Sequence, residues 1–194
     1  MYQRAVVGAF LVVAAFVGLP AHAQAQSSCA EGQFAGSGGR CCWTGQRDDG
    51  TACVGVPSVC PAGYVIGLAS QSCDLVPCTL GQERVDGVHC CYPGQSYTGA
   101  CVGAPTCPAG WSADGERCVA NNPGTLSVDG SLGAADVNVW QNGVIVAFGK
   151  TPFGPIALPP GAYEVEVLAY GNEPYREQVE LAQAQLSEVW AQLW

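Results

Sequence analysis

The chain's 194 residues are 48% hydrophobic and only 12% charged, with 26 glycines, 13 prolines and 12 cysteines against one methionine, which leaves room for one ordinary domain or two or three small ones. Sixteen acidic residues against seven basic ones give a net charge of -9, a balance that repels polyanions and excludes nucleic acid and anionic lipid as natural partners. Hydrophobic residues spread thinly among glycine, proline and cysteine suit neither a disordered tail nor a large enzyme built around one core.

The first element is residues 1–23. A basic start at Arg4, an apolar run from Ala5 to Gly18, a breaker at Pro20 and the small-x-small triplet Ala21-His22-Ala23 have the layout of a secretory signal peptide. Cleavage is expected after Ala23 or Ala25. The run is shorter than the roughly 20 residues a helix needs to cross a bilayer, and Gln26-Ser27-Ser28 before Cys29 leaves no cysteine at the cut to carry a lipid. The expected mature protein is therefore secreted, periplasmic or on the cell surface. It has no stable membrane insertion after signal cleavage, and all its cysteines meet an oxidising compartment.

Two cysteine sextets follow: Cys29, Cys41, Cys42, Cys53, Cys60 and Cys73 in residues 29–73, then Cys78, Cys90, Cys91, Cys101, Cys107 and Cys118 in residues 78–118. The text between them recurs. Cys41-Cys42-Trp43-Thr44-Gly45-Gln46 matches Cys90-Cys91-Tyr92-Pro93-Gly94-Gln95, and Cys60-Pro61-Ala62-Gly63-Tyr64 matches Cys107-Pro108-Ala109-Gly110-Trp111. This is an internal duplication. Units so small and glycine-rich bury too little apolar surface to offset chain entropy, so covalent staples are expected, each worth roughly 2–4 kcal/mol. Sequence leaves the pairing open, except that adjacent cysteines should reach different partners. Zinc is disfavoured by the absence of C-x-x-C and by the single histidine, His89, beyond the leader. Asp49-Gly50, Asp86-Gly87 and Asp114-Gly115 lack the spaced oxygen ligands of a calcium loop and read as hairpin turns. No metal or cofactor is expected.

Residues 119–124, with Asn121-Asn122-Pro123-Gly124, read as a linker. Beyond it short alternating runs predict strands over 125–128, 136–140, 144–148, 163–169, 178–181 and 187–193. Tyr163, Val165 and Val167 face one way and Glu164 and Glu166 the other. Asn142-Gly143 marks a tight hairpin. Leu186, Val189 and Leu193 would also line a helix face, but a final strand is the preferred reading. The fold class is mainly β: two small disulfide-rich modules followed by a compact antiparallel β-sandwich over residues 125–194.

Gly124-Thr125-Leu126-Ser127-Val128, Asn142-Gly143, Gly149-Lys150-Thr151-Pro152 and Leu158-Pro159-Pro160-Gly161-Ala162-Tyr163-Glu164-Val165 followed by Pro174-Tyr175 resemble the PEGA domain over about 70 residues. Tyr170-Gly171 stands reversed from the family's usual Gly-Tyr, with Asn172-Glu173 inserted after it. The resemblance implies an extracytoplasmic β-sandwich of bacterial envelope and surface proteins, structural or binding in role and without catalysis. The cysteine modules resemble repeats in predicted secreted proteins of Gram-negative bacteria, a likeness that implies no activity.

Catalysis finds little footing. One histidine beyond the leader cannot build the usual triad, and no Gly-x-Ser-x-Gly elbow, His-Glu-x-x-His helix or phosphate loop is present. Glu164 and Glu166 could mimic a glycosidase pair, but a solvated strand face is the simpler account. The expected function is non-catalytic: an envelope-associated structural or binding protein whose partner is cell-wall or surface polysaccharide or an envelope protein. Exposed aromatic rings are the expected contacts, with Trp43, Tyr64, Tyr92, Trp111, Trp140 and Trp190 as candidates. The alternative is a disulfide-rich inhibitor of a secreted protease, presenting the loop from Val54 to Val59 held rigid by flanking cysteines.

Overall fold

A computed structural model describes residues 29–194; the signal-peptide reading of residues 1–23 lies outside the described residues. The chain is mainly β, and residues 29–120 fold as six antiparallel hairpins in series. They pair β1 (Gln33–Ala35) with β2 (Cys41–Trp43), β3 (Arg47–Asp48) with β4 (Cys53–Val54), and β5 (Tyr64–Gly67) with β6 (Ser72–Leu75). The second set pairs β7 (Glu83–Val85) with β8 (His89–Cys91), β9 (Ser96–Tyr97) with β10 (Cys101–Val102), and β11 (Trp111–Asp114) with β12 (Arg117–Ala120).

Each hairpin opens in the same way. A cysteine, two residues and a glycine lead into the first strand at Cys29, Cys42, Cys60, Cys78, Cys91 and Cys107. The residue after the glycine donates its N–H back three positions, as in Gln33 N to Ala30 O at 3.0 Å and Trp111 N to Pro108 O at 3.1 Å. The glycine occupies the turn position that needs a positive φ, which is +97° at Gly45 and +91° at Gly94. A Cβ at Gly45 would lie 2.4 Å from the Ser58 nitrogen, so the site also lacks space for one.

The disulfides follow this unit. Each turn cysteine closes on the next cysteine in the chain: Cys29–Cys41, Cys42–Cys53 and Cys60–Cys73, then Cys78–Cys90, Cys91–Cys101 and Cys107–Cys118. Adjacent Cys41 and Cys42 reach different partners, as do Cys90 and Cys91. Among the described residues no cysteine is free. Only Cys42, Pro57, Gly67, Cys73, Cys91 and Pro105 are buried in this half, so the covalent links replace a core.

One polar side chain repeats at the centre of each module. Gln46 accepts from Trp43 N at 2.8 Å and donates to Gly55 O at 3.1 Å and Gln71 O at 2.7 Å. Gln95 accepts from Tyr92 N at 3.0 Å and donates to Gly103 O at 3.1 Å and Glu116 O at 2.8 Å. Each amide thus ties the turn of one hairpin to the loop behind it and to the turn of the next. Asp49 and Asp86 cap hairpin turns; the N–H groups of Ala52 and Thr51 hold Asp49 down to about 2, and those of His89 and Val88, with the His89 ring, do the same for Asp86.

Cysteines stop at Cys118 and an apolar core takes over. Half of residues 119–124 is strand, since β12 runs to Ala120 and β13 (Gly124–Gly130) begins at Gly124, which leaves only 121–123 between them. Then follow β14 (Asp136–Gln141), β15 (Val144–Lys150), β16 (Phe153–Leu158), β17 (Gly161–Leu168), β18 (Tyr175–Leu181) and β19 (Leu186–Ala191). They make a three-stranded sheet, β16-β13-β19, and a four-stranded sheet, β15-β14-β17-β18. Inward residues of both sheets, among them Leu126, Val139, Tyr163, Val165 and Val189, share one buried cluster. Asn142 and Gly143 both have positive φ, as a type I′ hairpin turn requires.

Two features depart from expectation. Strand β16 is absent from the sequence reading because Gly154 and Pro155 interrupt it; it is an edge strand, where a missing N–H is tolerated. The final segment is a strand as expected, but β19 pairs with β13 in parallel, Thr125 opposite Leu186 through Gly130 opposite Ala191. Only residues 182–185 separate β18 from β19, and the chain crosses there from one sheet to the other, which sets the direction.

The hairpins are fastened to the sheets. Asp136, at the start of β14, accepts from Leu68 N at 2.6 Å and Ala69 N at 2.9 Å in the β5–β6 turn. Lys150 bonds Asp136 at 2.7 Å and also donates to Ile66 O. Leu80 and Trp111 pack against the apolar cluster. Because its amide satisfies three backbone groups, Gln46→Ala should destabilise the chain by about 1–3 kcal/mol. Chemical denaturation of the oxidised protein measures this, and an unchanged midpoint would show that the disulfides alone hold the module.

Candidate functional site

Strand alternation sends Asn138 and Trp140 of β14, Glu164 and Glu166 of β17, and Arg176 and Gln178 of β18 to the outer face of the four-stranded sheet. Register then sorts them into two rows. Asn138 lies opposite Glu166, which lies opposite Arg176; Trp140 lies opposite Glu164, which lies opposite Gln178. A cleft of about 520 Å³ opens here, lined by Trp140, Glu164, Glu166, Arg176 and Gln178 with the Asn142-Gly143 turn at one end.

The polar groups hold one another in place. Arg176 donates to Glu166 Oε1 through Nε at 3.0 Å and Nη2 at 2.6 Å, and Asn138 Nδ2 donates to Glu166 Oε2 at 3.2 Å. Gln178 Nε2 donates to Glu164 Oε2 at 2.7 Å. Glu166 is 8% exposed although it sits on the outer face. Burial pushes its carboxyl up, but donors Arg176, Asn138 and Trp140 outweigh that and hold it below the usual value. Two of the planar groups that line the cleft keep unused hydrogen-bonding capacity: further guanidinium N–H groups on Arg176 and the second oxygen of Glu164.

The aromatic candidates do not form one surface. Trp43 and Tyr64 meet within the first module at 6.3 Å between centroids. Tyr92 is half-buried in the second module. Trp111 packs against the sheet cluster with its indole nitrogen buried and without a hydrogen-bond partner, so it fastens the modules rather than facing solvent. Trp190 is 59% exposed on β19, away from Trp140. Trp140 alone among the candidates lies beside paired polar side chains. Glu166 stands out in the sequence only with Glu164, as a solvated strand face, and Asn138, Arg176 and Gln178 do not stand out; their shared parity with Trp140 and Glu164 is the available signal, but three strands must be in register before it means anything.

Other features are accounted for locally. His89 bonds Asp86 at 2.9 Å and stacks on Tyr97 at 3.8 Å. In the loop from Val54 to Val59, Pro57 is buried and Ser58 N bonds Thr44 O at 2.8 Å, while Val56 and Val59 are exposed. Among the described residues no group of three His, Cys, Asp or Glu side chains is placed to hold a metal ion, and no helix is long and apolar enough to cross a membrane. Six disulfides fit an oxidising, extracytoplasmic setting. The chain matches no protein-family model, no curated protein and no solved structure.

The depressed carboxyl of Glu166 stabilises the fold above its ordinary value and loses that contribution as pH falls through the lowered one. Arg176→Ala should therefore raise the Glu166 titration midpoint, read by carboxyl carbon resonances, and shift acid unfolding to higher pH. An unmoved midpoint would mean the pair is not coupled.

Proposed function

We propose that the protein is a non-catalytic, secreted or periplasmic protein of the bacterial envelope that binds cell-wall or surface polysaccharide on the outer face of the four-stranded sheet. In this reading the leader is removed on export, residues 29–118 are a disulfide-stapled cover, and residues 125–194 are a PEGA-like sandwich that presents the site.

The observation that carries the reading is the pair of cross-strand rows, in which Trp140 lies beside two bonded pairs of planar groups, Arg176 with Glu166 and Gln178 with Glu164. A pyranose ring offers an apolar C–H face and a rim of hydroxyls, and so fits a ring platform flanked by carboxylate, amide and guanidinium groups. Side chains already locked by one another lose little entropy on binding. Hydrolysis is disfavoured because Glu164 and Glu166 stand two apart on one strand, whereas a glycosidase pair flanks the scissile bond from two sides. The inhibitor reading keeps one supporting observation, the exposed Val56 and Val59 between two disulfides, but Ser58 ties that loop down.

Co-sedimentation of the oxidised protein with purified peptidoglycan and outer-membrane polysaccharide tests the proposal. Wild type should pellet, Trp140→Ala should lose binding by about tenfold or more, as central aromatic contacts do, and Trp43→Ala and Trp190→Ala should pellet like wild type. Wild type remaining in solution, or a folded Trp140→Ala that pellets unchanged, would overturn it.

A further inference from the structure

The charge of the outer sheet face is uneven in a way that selects among sugars. Glu164 and Glu166 line the cleft with one guanidinium, and Glu180 lies on the same face of β18 as Arg176 and Gln178. Arg176 commits two N–H donors to Glu166. Glu164 hydrogen-bonds an uncharged partner, Gln178, and makes none of the close ion pairs of the described residues; the Arg176 guanidinium is near enough to feel its charge but is bonded to Glu166.

Glu164 lies directly opposite Trp140 in the register, so their Cβ atoms stand about 4.5–5.5 Å apart. An ionised carboxylate next to an indole ring attracts a cation twice over, by charge and by the negative face of the π system. A carboxylated sugar meets the opposite: two unfavourable carboxylates in the cleft and a chain whose net charge is -9. An N-acetyl group, being neutral, gains neither attraction.

Resting on the polysaccharide reading above, we infer that this cleft is specific for an amino sugar with a free, protonated amine, the ammonium seated between Glu164 and the Trp140 ring. Glu166 and Arg176 then serve the hydroxyls, and Gln178 positions the Glu164 carboxylate. No residue of the hairpins lines this cleft: the first module is anchored at Asp136 and Lys150, away from Trp140, and the second meets the β16–β17 turn at Pro159.

The test uses short ligands, since a polycation would stick to any acidic protein. Calorimetry at about pH 6, below the ordinary range of an amine, compares tetrasaccharides of glucosamine, N-acetylglucosamine and galacturonate against the oxidised full chain. The glucosamine form should bind about fivefold tighter than the acetylated one, the scale of one exposed ion pair, and galacturonate should bind weakest. Glu164→Gln should remove the preference while Glu83→Gln, an equal charge change on a remote hairpin, keeps it. Equal affinity for the amine and acetyl forms, or a preference that survives Glu164→Gln, overturns amine selection and leaves glycan binding standing. Absence of binding to all three sugars by a folded protein overturns the glycan reading and this inference with it.

Discussion

Disulfide closure of each hairpin onto its own turn cysteine is the constraint on which residues 29–120 depend. Between the six links there is almost nothing to bury, and strands of two to four residues give few ladder hydrogen bonds. A free two-stranded hairpin is marginal in water at best. Closing each loop removes most of the unfolded chain's freedom at the point where the strand pair needs it. Because the links are nearest-neighbour, the constraint is local, and a second device must order one hairpin against the next. Gln46 and Gln95 supply it, each amide bridging three backbone segments.

The C-terminal half solves the same problem with apolar area. Its two sheets bury a common cluster of valine, leucine and one tyrosine, and the Tyr163 hydroxyl, which would be costly if unpaired, donates to Pro159 O at 2.6 Å. The halves are joined at the ends of strands. Asp136 receives two backbone N–H groups from the β5–β6 turn, and Lys150 bridges Asp136 to the Ile66 carbonyl of β5. Where the first module meets the outer sheet face, an open cleft of about 330 Å³ lies between Ile66 and Ala69 on one side and Asn138, Phe148 and Leu168 on the other. The uncovered part carries Trp140, Glu164 and Gln178. Cover and open face thus share one sheet.

Much of this fold was legible in the residues. Alternation in Tyr163 to Val167, the Asn142-Gly143 turn and the loss of cysteines after Cys118 each mark their element because local chemistry decides them. The two-module duplication was visible too, yet it hid a smaller period: the cysteine-x-x-glycine turn occurs six times, and recognising it would have suggested the nearest-neighbour pairing. Strand β16 was hidden by its prolines, which only an edge position excuses. The site was half legible. Trp140 stood out alone and Glu164 together with Glu166, but Asn138, Arg176 and Gln178 belong with them only through the register of three strands, which no local pattern encodes.

Peptide mapping of the unreduced protein by mass spectrometry tests the central claim most directly, with cleavage between the adjacent cysteines so that each link is read separately. The account predicts six nearest-neighbour bonds and none that spans the two modules. A single crossed pair, such as Cys29 with Cys42 or Cys73 with Cys78, would contradict the hairpin unit and with it the arrangement of the cover on the sheet.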